Sequence, residues 1–355
     1  MKALILIGGE GTRLRPLTLN TLKCMVPIAN KRFFEYQFNL LKAAGIKEVV
    51  LSICNMPGKI KKVIGDGSRY GIKVDYALEK TPLGTGGAVK NAEKYLDDTT
   101  IVMNGDILTD INLKKLAAEH KKSSAAATIS LIEVEDPTSY GLVATDKNNR
   151  IKKFLEKPKW TETKGNRWIN AGIYVFNKSV LDMIPADMNY SLERQVFPGI
   201  LESGRKMSAF KSEFYWLDIG KLDKYRQANF DVLEKRFKTD EKEKKPDKDG
   251  VVRGKNLKIS RSAFLKGPAV IGNNVQIEKR ALVAPLSIIG ENCTIGENCI
   301  IENSIIWDGA VIMKNAVIKN CIIGKNCVIK SNVMLHGAVL GDSSKATEYS
   351  KTGVL

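Results

Sequence analysis

Histidine occurs only twice in the chain and no two cysteines are spaced C-x-x-C, which excludes the usual zinc frameworks and thioredoxin-like redox chemistry. The six cysteines, Cys24, Cys54, Cys293, Cys299, Cys321 and Cys327, form no disulfide framework and suit packing in a reducing compartment. No run of 18 apolar residues occurs, and a strand-like segment begins at Ala3. Neither a membrane span nor a signal peptide is therefore expected, and the reading is cytoplasmic. Aromatic residues are few, at 7%, and form no ladder between basic side chains. The net charge of +17 is accordingly read as solvated surface with a minority of side chains steering anions, and nucleic acid is not an expected partner. Two familiar glycine loops are also missing, since there is no P-loop Gly-Lys-Ser/Thr and no G-x-G-x-x-G, which argues against a P-loop or dinucleotide fold.

What is present is concentrated near the start. Ala3–Ile7 is long enough for one buried strand, and the run stops at Gly8-Gly9. Gly11, Thr12, Arg13 and Arg15 follow. A strand that empties into a glycine loop with basic side chains offers backbone N–H groups and fixed positive charge, the means of holding a polyphosphate. A plain turn whose glycines only supply positive φ is the alternative.

Further along, Phe33, Phe34, Gln37, Phe38 and Leu41 recur at helical spacing up to Gly45, and Glu48–Ile53 reads as a second strand. Val74–Glu79 reads as a strand leading into the segment TPLGTGGA at 81–88, whose glycines let a backbone lie flat against a planar ligand, and a helix follows through Lys94. Thr100–Asp106 reads as a buried strand ending in a carboxylate, where open α/β sheets bind ligands. Tyr215–Gly220 sets Asp218 in an apolar strand, where a carboxylate is costly unless paired or bound to a cation. Alternating strand and helix patterns predict an α/β layer with a mainly parallel sheet.

The length of 355 residues exceeds what one compact core holds, so two domains are expected. Between Asp231 and Gly250 lie seven acidic and seven basic residues with almost nothing apolar after Phe237, as in an exposed linker or frayed helix end. From about Val251 a six-residue apolar period takes over: Ile271, Ile277, Val283, Ile289, Ile295, Ile301, then after one-residue slips Ile306, Ile312, Ile318 and Ile323, Ile329, Leu335. This is the hexapeptide signature of a parallel β-helix, and twelve hexads predict roughly four coils. The four late cysteines fall two residues before these positions and should stack inside as small hydrophobes.

The opening segment, G-G-x-G-T-R-L-x-P-L-T from Gly8 to Thr18 with Lys23 and Pro27 after it, resembles the signature of the sugar-1-phosphate nucleotidylyltransferases. Cys24 stands where that family usually has proline, which bears on the rigidity of the loop and leaves the lysine charge in place. The resemblance implies a Rossmann-like mixed-sheet nucleotidyltransferase domain at 1–230. A linker at 231–250, a left-handed parallel β-helix at 251–345 and a tail at 346–355 complete the expected organisation. It further implies Gly8, Gly9, Gly11, Thr12, Gly84, Thr85 and Gly86 at the nucleotide, and Gly105, Tyr140, Gly141, Glu156, Lys157 and Asn170 at the sugar phosphate. Arg13 and Lys23 would act on the reacting phosphates, and Asp106 with Asp218 would hold Mg²⁺, a hard ion suited to two carboxylates plus phosphate oxygens. Partners are then a nucleoside triphosphate and a sugar 1-phosphate, with a homo-oligomer formed through the β-helix.

Within this family the combination most resembles the mannose-1-phosphate guanylyltransferases, so GTP and mannose 1-phosphate are the expected substrates. Adenylyl, uridylyl and thymidylyl transfer to glucose 1-phosphate share nearly all of these residues. Two further readings stay open. One is an acylating β-helix using His336, the single histidine of that segment. The other is a regulatory subunit that has lost turnover.

Overall fold

The computed structural model describes residues 1–238 and 244–353, so part of the expected linker and the end of the expected tail lie outside the described residues. The chain forms two compact units that do not follow chain order. One comprises Met1–Gly9 and Phe34–Asp218, the other Glu10–Phe33 and Ile219–Leu355. Among the described residues no helix is long and apolar enough to cross a membrane.

The early elements are β1 (Lys2–Leu6), the short pair β2 (Pro27–Ile28) and β3 (Lys31–Arg32), α1 (Phe33–Ala43), β4 (Glu48–Ile53) and α2 (Pro57–Ile64). Then come β5 (Lys73–Leu78), α3 (Gly84–Asn91), β6 (Thr99–Asn104), β7 (Ile107–Thr109), α4 (Leu113–Ser123), β8 (Ala127–Glu133), β9 (Gly141–Thr145) and β10 (Ile151–Glu156). The series ends with α5 (Trp160–Thr163), β11 (Trp168–Asn177), α6 (Phe197–Glu202), β12 (Met207–Lys211), β13 (Trp216–Asp218) and α7 (Leu222–Leu233).

The first unit is built on a sheet in which β5, β4, β1 and β6 run parallel. Such strands are covered on both faces, which is why ALIL, EVVLSI and TTIVMN read as nearly unbroken apolar runs. The expectation of a mainly parallel sheet holds for this half only. Beyond β6 the sheet becomes mixed: β11 pairs antiparallel with β6 and β8, β9 pairs antiparallel with β10, and β12 pairs parallel with β8. A core cluster including Leu4, Val50, Val102, Tyr174, Phe176 and Phe197 fills one side. Tyr174 stacks on Phe176 with ring centroids 5.4 Å apart.

In the second unit, strands from Val251 to Thr352 form three sheets of six parallel strands, one strand per coil on each face. This corrects the expectation of four coils and of a tail from residue 346. The end coils place Arg253, Ile259 and Leu265, and then Leu340, Ala346 and Thr352, at the register of the inward apolar positions, so the period fades there while the ladder continues. Asparagine recurs at the corners with positive φ, as at Asn274, Asn292, Asn298, Asn315 and Asn332, a conformation asparagine tolerates better than other residues with a side chain.

As expected, Cys293, Cys299, Cys321 and Cys327 are free and buried, and burial pushes each thiol up from its ordinary range. One sheet carries an outward row of apolar side chains in register, Phe264, Leu282, Ile300, Val317 and Met334. Its two ends, Phe264 and Met334, are exposed.

Candidate functional site

In the first unit the predicted residues gather at the carboxyl ends of the parallel strands. Gly8 follows β1, and a Cβ on it would sit 3.3 Å from Glu79 Oε1 and 3.6 Å from Cys54 Cβ. The Asn55 side-chain amide donates to Gly8 O (3.0 Å). Glu79 is a buried carboxylate fully used within the fold: Oε1 accepts from the Ser52 hydroxyl (2.8 Å) and Oε2 from Leu83 N–H (3.1 Å). Gly9, by contrast, has open space around it.

The turn after β6 presents Asp106. Gly105 donates its N–H to Leu6 O (2.8 Å), and a Cβ there would lie 2.3 Å from Ile7 Cγ2, so only glycine lets the turn sit this close to the central strand. Gln37, on α1 and 2% exposed, donates from Nε2 to Asn104 O (3.1 Å) and Ile107 O (3.4 Å), bracing the turn from both sides. Immediately beyond it, β7 pairs antiparallel with β13, and Asp218 lies opposite Ile107. The fold thus brings the two aspartates to one end of a two-stranded ribbon although 112 positions separate them in sequence. Asp218 is half-buried at the end of its strand, less deeply placed than its apolar neighbours suggest. Asp110 locks the ribbon, accepting from Tyr215 N–H at 2.7 Å.

The remaining predicted residues lie along β9, β10 and β11. Asn170 accepts from Gly172 N–H (2.9 Å) and donates to the Tyr174 hydroxyl (2.8 Å). Gly172 has φ 72°, and a Cβ on it would lie 2.7 Å from Asn104 Nδ2. Trp216 donates its indole N–H to Ala171 O (2.9 Å) and meets Tyr140 edge to face at 5.4 Å. Gly141 admits the Phe154 ring and Glu156, whose Oε2 would be 2.9 Å from an added Cβ. Lys157, exposed and at φ 51°, donates its N–H to Tyr140 O (3.0 Å).

Burial, then the nearby charge of Glu193, raises the Glu156 carboxyl above its usual range. The same two causes hold the Tyr174 hydroxyl protonated. Glu193 itself accepts from Thr85 (2.7 Å), Ser191 (2.7 Å) and Tyr174 (3.4 Å). Neither Gln37 nor Glu193 was singled out from sequence as a site residue. A polar residue on the apolar stripe of α1 was the signal for Gln37.

The glycines opening α3 are explained by packing. Gly86 and Gly87 donate their N–H groups to Tyr190 O (2.7 and 3.0 Å). A Cβ on Gly84, Gly86 or Gly87 would meet Tyr190 O or Met188 O at 2.3–2.9 Å. The expectation that they lie open to a planar ligand is corrected to this extent: the N-terminal amides of Gly86 and Gly87 are already bonded.

Gly11, Thr12, Arg13 and Lys23 belong to the second unit. Gly11 has φ 64° and accepts from the Thr18 hydroxyl (2.7 Å), while a Cβ on it would press within 3.3 Å of Lys23 Cβ. Thr12 and Arg13 are exposed in the short 3₁₀ turn Thr12–Leu14. Lys23 opens a second such turn, Lys23–Met25, and Cys24 inside it is buried, its thiol pushed up to about 12 by desolvation. At the proline position of the signature, Cys24 is thus a buried core residue in a hydrogen-bonded turn. His336, the candidate acylating base, is exposed, contacts Asn320 Nδ2 (2.9 Å), and is followed by further strands of the solenoid.

Among the described residues no group of three or more His, Cys, Asp or Glu side chains gathers as a metal site. Two carboxylates on one ribbon suit an ion that takes its other ligands from phosphate and water, as Mg²⁺ does.

Comparison with known proteins places these features. A model described as "Nucleotidyl transferase" matches residues 2–235, and one described as "EIF2B subunit epsilon LbH domain", a left-handed β-helix, matches 248–349. A mannose-1-phosphate guanylyltransferase of Mycobacterium tuberculosis is 40% identical over 233 residues, which cover 65% of this chain and 64% of that protein. A UTP–glucose-1-phosphate uridylyltransferase of Synechocystis is 34% identical over 310 residues, 83% of this chain and 80% of its own length. A mannose-1-phosphate guanyltransferase of Neurospora crassa is 39% identical over 269 residues, 74% and 72% of the two chains. Among solved structures, HddC from Yersinia pseudotuberculosis is 31% identical with a TM-score of 0.56, covering 64% of this chain and 97% of that one. A second structure of the same protein, complexed with GMP-PN, has a TM-score of 0.55.

Proposed function

Because this chain belongs to the nucleotidyl transferase family, we propose that it joins a nucleoside triphosphate to a sugar 1-phosphate, with release of pyrophosphate. In this reaction an oxygen of the sugar 1-phosphate attacks the α-phosphorus of the nucleotide. The bond from that phosphorus to the β-phosphate bridging oxygen breaks, and the pyrophosphate leaves with the electron pair. No protein nucleophile is needed, so the protein must position two polyanions and neutralise developing charge.

The single observation that carries the reading is the β7–β13 register, which sets Asp218 opposite the residue after Asp106 at the mouth of an α/β sheet. These two carboxylates would hold Mg²⁺, which when bound supplies positive charge for the reacting phosphates. Gly8, Gly9, Gly11, Thr12 and Arg13 are assigned to the triphosphate, and Lys23 to the reacting phosphates. Gly84, Thr85 and Gly86 are assigned to the base and ribose, with Gly86, buried and with its amide occupied, serving to seat the start of α3. Gly105, Tyr140, Gly141, Glu156, Lys157 and Asn170 are assigned to the sugar phosphate.

GTP and mannose 1-phosphate are the substrates of choice, supported by the names of the mycobacterial and Neurospora relatives. The longer alignment with the Synechocystis protein supports UTP and glucose 1-phosphate as the second reading. Assembly through the β-helix is supported by the outward row Phe264, Leu282, Ile300, Val317 and Met334, a contiguous apolar strip of the kind that marks association surfaces. A cytoplasmic location fits substrates of this kind. The test is pyrophosphate release with each of four nucleotides against mannose and glucose 1-phosphates. The GTP–mannose pair should lead by about tenfold or more, a difference of about 1.4 kcal/mol in the barrier. A lead for UTP with glucose 1-phosphate would replace that substrate choice, and no release from any pair would overturn the enzymatic reading.

A further inference from the structure

The turn that carries Lys23 is fastened, within its own compact unit, to the β-helix. Trp307 directly follows the strand Ile305–Ile306 and is 1% exposed. Its indole N–H donates to the Tyr225 hydroxyl (2.9 Å), and that hydroxyl donates to Pro27 O (2.6 Å), four residues beyond the lysine. One turn along α7, Asn229 accepts from Ala29 N–H with Oδ1 (2.9 Å), while its Nδ2 donates to Tyr225 O (2.9 Å). Asn30 then donates to Ile289 O (2.6 Å), a backbone carbonyl of the solenoid.

The other end of the segment is held as well. Thr21 Oγ1 lies 3.5 Å from Asp342 Oδ2 and 3.5 Å from Lys325 Nζ. Gly341 packs against the Pro16 ring, where a Cβ would be only 3.1 Å away. Lys23–Met25 is therefore a short turn with tethers on both sides, all of them running to α7 or to the β-helix.

The chemistry of these tethers is informative. Apolar packing alone would hold α7 on the solenoid, whereas a chain of two buried donors ending on one carbonyl specifies a position. We propose that Trp307 and Tyr225 are positioning residues for Lys23, so that the β-helix sets the lysine for the chemical step in addition to any part in assembly. The proposal rests on the role given to Lys23 above.

Tyr225→Phe keeps the buried ring and removes only the hydroxyl. In pyrophosphate-release kinetics kcat is expected to fall by about tenfold or more with KM for both substrates little changed, since misplacement near the chemistry acts on the transition state. The readout specific to positioning is a double-mutant cycle. In a Lys23→Ala background, Tyr225→Phe should lower kcat by less than about twofold, because the group it positions is gone. Equal losses in both backgrounds would overturn the proposal while leaving the lysine's role intact. An undiminished kcat in Lys23→Ala alone would instead overturn that role and the proposal with it.

A second variant reads the tether without turnover. Asn30→Gly keeps the left-handed backbone, φ 64° at this residue, and loses the bond to Ile289 O. Hydrogen exchange at the amides of Val26 and Ala29 should quicken in both variants while the solenoid strands keep their protection. Unchanged exchange in both would overturn the proposal.

Discussion

Adding one methyl group at Gly105 tests whether the location of Asp106 governs turnover. A Cβ there would stand 2.5 Å from Leu6 O and 2.3 Å from Ile7 Cγ2, where ordinary contacts begin at about 3.5 Å. The Ile7 Cγ2 methyl sits on a β-branched carbon and moves only by a χ1 change, and the Leu6 carbonyl is held because β1 is paired on both sides. The turn must therefore retreat by roughly 1 Å, and a misplacement of that size costs about 100-fold in rate. The accompanying strain should cost about 1–3 kcal/mol of stability. Gly105→Ala is expected to fold with a lowered Tm, to lose about 100-fold in kcat, and to need more Mg²⁺ for half-maximal rate. Pyrophosphate release across a Mg²⁺ titration, with calorimetry on the same sample, measures all three. A variant whose kcat and Mg²⁺ requirement stay within about threefold of the parent would refute the assignment of Asp106 to the cation.

Lys23→Ala should lower kcat by about 100- to 1,000-fold, the loss typical of a preorganised charge-stabilising group. A rise in KM alone would show that the lysine only binds. His120 is buried, contacting Thr128 (2.8 Å) and Asn177 (2.9 Å), and burial lowers its pKa against the opposing effect of the Asn177 bond. Below the ordinary histidine value of 6.5 the unfolded chain takes up a proton that the folded protein resists, so this contribution to stability is present above that pH and lost as pH falls. The Tm of the parent should consequently drop more steeply from pH 7.5 to 5.5 than that of His120→Gln, and equal slopes would refute the account. Ile300→Glu, in the middle of the outward apolar row, should reduce the mass measured by light scattering. An unchanged mass would remove that row as the assembly surface.

Much of the fold was legible because its patterns are local and periodic. The strand ending at Gly8-Gly9, the strand ending at Asn104 and the six-residue repeat of isoleucines each state their geometry within a short window. The aspartate ribbon was legible only in part. The sequence suggested that Asp106 and Asp218 meet, but not that Gln37 braces the turn, because that contact runs to two backbone carbonyls rather than to a recognisable side chain. Glu193 escaped for a similar reason, its partners Thr85 and Tyr174 being distant in sequence. The glycines of α3 were read for a ligand alone, and the carbonyls of Met188 and Tyr190 add a packing reason that the sequence did not reveal. The end coils were missed because Arg253 and Thr352 break the apolar period without breaking the ladder.

The grouping of residues 10–33 with the solenoid bears on how enzymes of this build can be recombined. A hybrid cut near residue 220 would graft a foreign carboxyl-terminal half beneath a loop whose footholds, Thr21, Pro27 and Asn30, were matched to Asp342, Tyr225 and Ile289. Such a hybrid inherits the reacting groups and loses their seat. Successful exchange would require transplanting the loop together with its wall, so inheritance in this architecture follows contacts and not the linear order of the chain.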